Sequence, residues 1–294
     1  MLVLLALIWG ASFMFIKIAD RHLAPATLVA GRVGLAALTL TAAVPFLVGV
    51  RGTLAALRAY AGPLVAVGLL NTAIPFLLLA WGETRIDSGL AAIIQAAVPI
   101  FMAVLAFWFF PAERVTGVRL VGIAVGFVGV ALLVGAQPSG QVLGALAVVG
   151  MAIFYALGGL VAGRFLKGAP APVVSLGSCW VAFLAVLGPG IAAAPSHVPG
   201  AGTIASVVVL GVLGTAVAYL VFYLLIAGAG AARAGLVTYL VPPIALAYGA
   251  VFLGERFGVI AFAAFALILG GVALAAVGRR ALPRSRRVAT SSAR

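Results

Sequence analysis

Ten apolar runs occupy almost the whole chain, and a fold that keeps its apolar residues out of water by ordinary core formation cannot absorb them. They cover residues 1–19, 27–48, 61–81, 89–110, 117–135, 141–163, 172–194, 203–226, 232–253 and 258–277. A helix needs about 20 apolar residues to cross the hydrocarbon of a bilayer, and most of these runs are long enough to do so with some tilt. Across the 294 residues, 65% are apolar and 8% charged, where soluble domains carry about 45–50% and roughly 25%. The reading is an all-α polytopic membrane protein with ten transmembrane helices, numbered here as spans 1–10. The connections are short and leave no room for a sizeable soluble domain. The first run begins at Met1 without a basic segment and meets no small-residue cleavage site before Lys17. It reads as a retained span, not a removed signal peptide.

The same composition excludes several functions. One cysteine, Cys179, lies inside an apolar run, and only five acidic residues and two histidines are present. Disulfides, a metal centre and a catalytic acid–base pair therefore lack raw material. No H-E-x-x-H, G-x-S-x-G or DxxxD constellation occurs, and no Walker-type loop, so neither a membrane enzyme nor an ATP-driven pump is expected, and no cofactor. The net charge of +13 is concentrated in the last sixteen residues, at Arg279, Arg280, Arg284, Arg286, Arg287 and Arg294. Such a tail sets orientation and touches anionic lipid; nucleic acid is not expected as a partner. With the carboxyl terminus in the cytoplasm, thirteen of the 18 Lys and Arg residues fall on the inner side and five on the outer. Ten spans then put the amino terminus inside as well.

The two halves resemble each other. A shift of 143 lays Gly68-Leu-Leu-Asn-Thr-Ala73 over Gly211-Val-Leu-Gly-Thr-Ala216, and Val98-Pro99 over Val241-Pro242. A shift of 142 brings Ala112-Glu113-Arg114 onto Gly254-Glu255-Arg256, and Gly129 to Leu132 onto Gly271 to Leu274. Each unit holds five spans, an odd number, so the second enters the membrane from the opposite side. Inverted repeats are the architecture of many secondary transporters, with the site near the midplane between the repeats. The expected division is residues 1–135, 141–277 and a basic tail, 278–294.

At this point a family resemblance becomes specific. Trp9-Gly10 and Lys17 in span 1, Arg32 in span 2, Pro99, Glu113-Arg114 and Gly122 to Gly129 in spans 4 and 5, echoed by Pro242, Gly254-Glu255-Arg256 and Gly270-Gly271, make the chain similar to the EamA type of the drug/metabolite transporter superfamily. The likeness runs along almost the whole length. It departs at Pro111-Ala112, where the second unit has Leu253-Gly254. It implies two inverted five-helix repeats, residence in the cell inner membrane as monomer or homodimer, and transport of small metabolites, often export of amino acids or related compounds. A membrane-embedded enzyme and a non-transporting scaffold are the alternatives.

Candidate contacts follow from proline and from buried polar groups. A helical proline leaves the carbonyl four residues earlier without its donor, and in lipid such a group needs protein or a water-lined cavity. Pro75 does this to Asn71, Pro99 to Gln95, Pro242 to Thr238 and Pro243 to Tyr239. Trp9 and Ser12 pair by repeat position with Tyr155 and Gly158, and Tyr219, with Tyr223, is a further candidate for the same wall. The expected substrate contacts are thus Trp9, Ser12, Asn71, Gln95, Tyr155, Tyr219, Thr238 and Tyr239. Arg32 is the one basic residue placed within a span, for an anionic substrate group or for gating, unless it pairs with Asp20 or a helix-end carbonyl. Glu113-Arg114 and Glu255-Arg256 read as loop-fixing charges. Gly122-xxx-Gly126 and Ala266-xxx-Gly270 read as close helix contacts. All five carboxylates fall at helix ends or in loops, so no interior proton site is expected.

Overall fold

A computed structural model of the chain describes residues 1–109, 117–229 and 234–276. Glu113-Arg114, Pro111-Ala112, Arg233 and the arginine tail lie outside them, as do the side chains of Trp108 and Tyr223. Every apolar run becomes a helix. Spans 1 and 2 are Leu2–Ala19 and Pro25–Val48, span 3 is Ala61–Glu83, and span 4 is Ser88–Gln95 followed by Val98–Phe109. Spans 5, 6 and 7 are Val118–Gly135, Val142–Phe165 and Ala171–Ala192. Span 8 runs through Ala201–Val208, Val209–Val217 and Ala218–Ala229, span 9 is Val237–Leu253, and span 10 is Val259–Ala276. Among the described residues nine helices are long and apolar enough to cross a membrane, span 9 is the shorter tenth, and there is no strand.

Packing displays the inverted repeat. Span 1 lies on spans 8 and 9 of the second unit, and its counterpart, span 6, lies on spans 3 and 4 of the first. Span 2 pairs with span 7, and span 5 with span 10. Each contact thus has a mate related by exchange of the two units. In the last pair the backbones nearly touch. A Cβ placed on Gly122 would come within 2.5 Å of Ala275 N, one on Gly271 within 2.5 Å of Gly126 N, and one on Gly129 within 2.8 Å of Ala264 O. Glycine is what allows this approach. Gly270, expected to share in it, has open space around it; the contact passes one residue further on.

Three spans depart from regular α-helix in mid-membrane. Residues Leu69–Ala73 and Val209–Val217 form π turns, which lie over one another at the 143-residue shift. Span 4 breaks at Ala96 and Ala97, whose N–H groups tighten onto Ile93 O at 3.1 Å and Ile94 O at 3.0 Å. Pro99 follows and cannot donate to Gln95, so the ladder has no regular continuation there.

The connection after span 2 contains a helix, Val50–Ala59, where a plain loop with Arg51 and Arg58 is expected from the sequence. Thr53 and Ala56 face the protein while Arg51 and Arg58 stay outward, the pattern of a helix lying along a surface. Gly49, at φ 80°, makes the corner that an L side chain would strain.

Backbone contact between spans 5 and 10 leaves no room for side chains. Gly271→Val is expected to cost about 1–3 kcal/mol or more from overpacking, read as a lower melting temperature in detergent, whereas Gly270→Ala is neutral. Equal melting of the two variants would contradict the packing.

Candidate functional site

A cavity of about 240 Å³ opens between the two repeats, the share of bulk liquid taken by about eight waters. On span 3 its wall runs from Val67 to Leu79, roughly 18 Å at the helical rise, centred on the π turn. Equivalent residues of the two units contribute to its wall. Asn71 and Gly214, Phe76 and Tyr219, Leu79 and Phe222, and Arg32 and Ser175 are each 143 positions apart, and all line the cavity.

The closest contacts obey the same exchange. A Cβ on Gly158 of span 6 would meet Asn71 Cβ at 2.8 Å, and a Cβ on Gly214 of span 8 would meet Ser12 Oγ at 2.9 Å. In both, a polar side chain of the first unit seats against a glycine of the second. Ser12 donates to Ile8 O at 3.1 Å, so its hydroxyl stays in register with span 1. Trp9 leans on Phe222, with ring centroids 5.4 Å apart.

Arg32 is the charged side chain of this wall. It is 6% exposed and sits roughly 10 Å along span 2 from its start at Pro25. Its Nε donates to Thr215 Oγ1 across the repeats at 3.0 Å, and the Thr215 hydroxyl in turn donates to Leu210 O at 2.9 Å. The guanidinium carbon lies 3.9 Å from the Phe76 ring centre, a cation–π arrangement. Neither Asp20 nor a helix-end carbonyl holds it, and among the described residues its two terminal nitrogens make no hydrogen bond.

Of the sequence candidates, Trp9, Ser12, Arg32, Asn71, Gln95, Tyr155 and Tyr219 meet at this cavity. Thr238 and Tyr239 do not: Tyr239 lines a separate pocket with Pro99, Met102 and Arg119. Pro242 and Pro243 leave span 9 helical over Val237–Tyr248, and its proline-marked turn faces another way. Ser175 and Ser178 are residues that the sequence reading missed. They lie one turn apart on span 7, 2% and 4% exposed, with hydroxyl oxygens that have no partner among the described residues. Ser175 was recoverable, since the repeat shift lays it on Arg32.

Above the cavity, at the Asp20 end, charges fix the helix ends. Lys17 Nζ donates to the carbonyls of Glu83 and of Ile86, the latter at 2.7 Å, capping the end of span 3. Glu255 of the second unit accepts from Ser88 N at 2.8 Å, Ser88 Oγ at 2.9 Å and Gly89 N at 3.2 Å, closing the start of span 4 where Asp87 makes no side-chain cap. The left-handed Gly254, at φ 70°, turns the chain so that this carboxylate points back. Burial pushes the Asp20 carboxyl up to about 8, against the lowering effect of Lys17. Burial also raises the Asp87 carboxyl, Glu255 adding to the rise and Lys17 opposing it. Glu83 departs from expectation: it stands at a helix end, yet is 0% exposed. Among the described residues no group of three or more His, Cys, Asp or Glu is arranged to hold a metal.

Comparison with known proteins gives this architecture a family. The model of the EamA-like transporter family matches residues 1–135 and 142–277, and the chain belongs to that family. A protein of Streptantibioticus cattleyicolor named "Probable terminal-alkyne amino-acid exporter" is 32% identical over 302 residues, covering 100% of this chain and 97% of the relative. A Salmonella typhimurium protein named "Probable amino-acid metabolite efflux pump" is 27% identical, with 94% of each chain covered. A crystal structure at 21% identity superposes with a TM-score of 0.66 over 94% of this chain and 95% of that one, which shows the same fold. The chain is a membrane transporter.

The Arg32–Thr215 contact joins the repeats at the cavity wall. Thr215→Val keeps the shape and removes both hydrogen bonds, so it is expected to cost about 1–3 kcal/mol of stability, while Thr215→Ser retains most of it. A valine variant that melts with the parent would show that the contact carries no weight.

Proposed function

We propose that the chain is a secondary transporter or facilitator that exports amino acids or related carboxylate-bearing metabolites, by alternating access between its inverted repeats. The observation that carries this is Arg32: a buried guanidinium on the wall of an interface cavity, steadied through Nε, with no carboxylate bonded to its terminal nitrogens among the described residues. A charge in that setting calls for an anionic partner, and a fork of N–H donors suits a carboxylate. The names of the two relatives point to the same chemical class.

In this reading Trp9, Tyr155 and Tyr219 wall the solute, and Ser12, Asn71, Gln95, Ser175 and Ser178 supply its hydrogen bonds. Thr238 and Tyr239 stay outside the binding set. Glu255 on Ser88 and Lys17 on span 3 hold the Asp20 end shut, so opening there breaks helix caps without breaking the core. The chain resides in the inner or plasma membrane as monomer or homodimer, with lipids around it and both termini in the cytoplasm. The Asp20 end then faces outward. The two functional units are residues 1–135 and 141–277.

Flux into proteoliposomes, measured over a panel of amino acids and their derivatives, tests the function. Carboxylate-bearing solutes are expected to move by a saturable route that Arg32→Gln or Asn71→Ala slows several-fold without loss of insertion. A panel that moves no faster than in protein-free vesicles would contradict the reading. Orientation is tested separately by labelling Ala55→Cys in a Cys179→Ser background. The cysteine should react with an impermeant maleimide only after cells are permeabilised, and reaction in intact cells would reverse the topology.

A further inference from the structure

The wall of the cavity continues, one turn on, into a pair of acids. Ile16 on span 1 and Leu79 on span 3 line the cavity. Asp20 and Glu83 stand four residues beyond them on the same helix faces, roughly 6 Å further toward the Lys17 end. Both oxygens of each carboxyl group are buried, and none of the four has a hydrogen-bond partner among the described residues. The charge of Asp20 reaches Glu83.

Neither of the cations whose charge reaches Glu83 is bonded to either carboxylate. Lys17 spends its ammonium on the carbonyls of Glu83 and Ile86, and Arg32 gives its Nε to Thr215. Glu255, the other group whose charge reaches Glu83, is an anion taken up by Ser88 and Gly89. Asp87 stands beside it at the span 4 terminus. Span 6 brings Gly144 and Val148 against Gly82 and no charge. Two anions without donors are not stable side by side in a closed interior.

We propose that Asp20 and Glu83 form a proton-binding pair in the gate between the cavity and the Asp20 face, protonated when the gate is shut and ionised when it opens. The step is a proton exchange with water: closing transfers a proton from water on that face to a carboxylate oxygen, and opening returns it by O–H dissociation. A metal cation fits less well, because the nearby helix-end carbonyls are occupied by an ammonium whose own charge would repel it. The pair deepens the transport reading by giving its gate a coupling ion, but it can be tested without a substrate.

Infrared difference spectra of the reconstituted chain report protonated carboxyl groups directly. The expected result is a carboxyl C=O band that disappears as the pH rises through about 8, the region to which burial moves Asp20, and that is reduced in both Asp20→Asn and Glu83→Gln. Gate opening is read in a Cys179→Ser background from the labelling rate of Ile16→Cys by an impermeant maleimide, relative to exposed His197→Cys at the same pH. Between pH 6 and 9 this ratio should rise at least fivefold with the native pair. It should stay low and flat with Glu83→Gln, the folding of that variant being checked by its melting temperature. Replacing potassium by sodium should leave the ratio unchanged. Absence of the band, a pH-independent ratio with the native pair, or a sodium-dependent ratio would each overturn the proposal, whether or not amino acids are carried. Failure of amino-acid flux with the titration intact would instead overturn the substrate reading.

Discussion

A backbone inside hydrocarbon has no water to bond with, so each N–H and C=O must find a partner within the protein. Irregular backbone is therefore tolerated where other spans or a cavity can satisfy it. The two mid-membrane π turns, Leu69–Ala73 and Val209–Val217, contribute to the wall of the interface cavity, and the break in span 4 at Ala96 and Ala97 follows Gln95 on that wall. A third π turn, Gly249–Leu253, ends span 9. π turns recur at functional sites because they displace side chains from the regular helical faces. Here they bring Asn71, Thr72 and Gly214 to the wall and leave Thr215 where it can meet Arg32. The polar wall of the cavity thus includes side chains displaced by irregular turns.

Duplication with inversion explains why the cavity has matched walls that are chemically unlike. Asn71 corresponds to Gly214, Phe76 to Tyr219 and Arg32 to Ser175, and all six line the cavity: position in the repeat is shared, while charge and hydrogen-bonding capacity have diverged. The ends of the molecule are held differently from its middle. At the Asp20 end Lys17 and Glu255 act as caps supplied from other helices, contacts that form or break as units. Spans 5 and 10 meet through glycine backbones and form a scaffold to the side of the cavity.

The span architecture was legible because apolar length and the inverted repeat are properties of position along the chain. Helix ends agree with the apolar runs to within a few residues, apart from the start of span 9. Seven of the residues that line the cavity were also legible, through proline spacing, repeat pairing and, for Arg32, a charge placed inside a span. What was not legible depends on which way a helix face points. Pro242 and Pro243 mark carbonyls as truly as Pro75 does, yet Tyr239 looks into another pocket. Ser175 and Ser178 are two small hydroxyls in an apolar run, and only their burial without partners distinguishes them. Glu83 stands at a helix terminus, where a carboxylate ordinarily reaches water; its burial follows from the packing of spans 1, 3 and 6 around it. The helix Val50–Ala59 was hidden because ten residues with two arginines carry too short a pattern to separate from a loop.

In the proposed function Arg32 recognises the carboxylate of the transported solute. The most direct measurement is calorimetric binding of L-leucine and L-leucinamide to the purified chain and to Arg32→Gln, taken as a double cycle. The native chain is expected to bind the acid at least tenfold more tightly than the amide. Arg32→Gln is expected to abolish this preference while leaving the weak binding of the amide unchanged. Equal weakening of both ligands by the substitution, or no preference for the acid in the native chain, would contradict it.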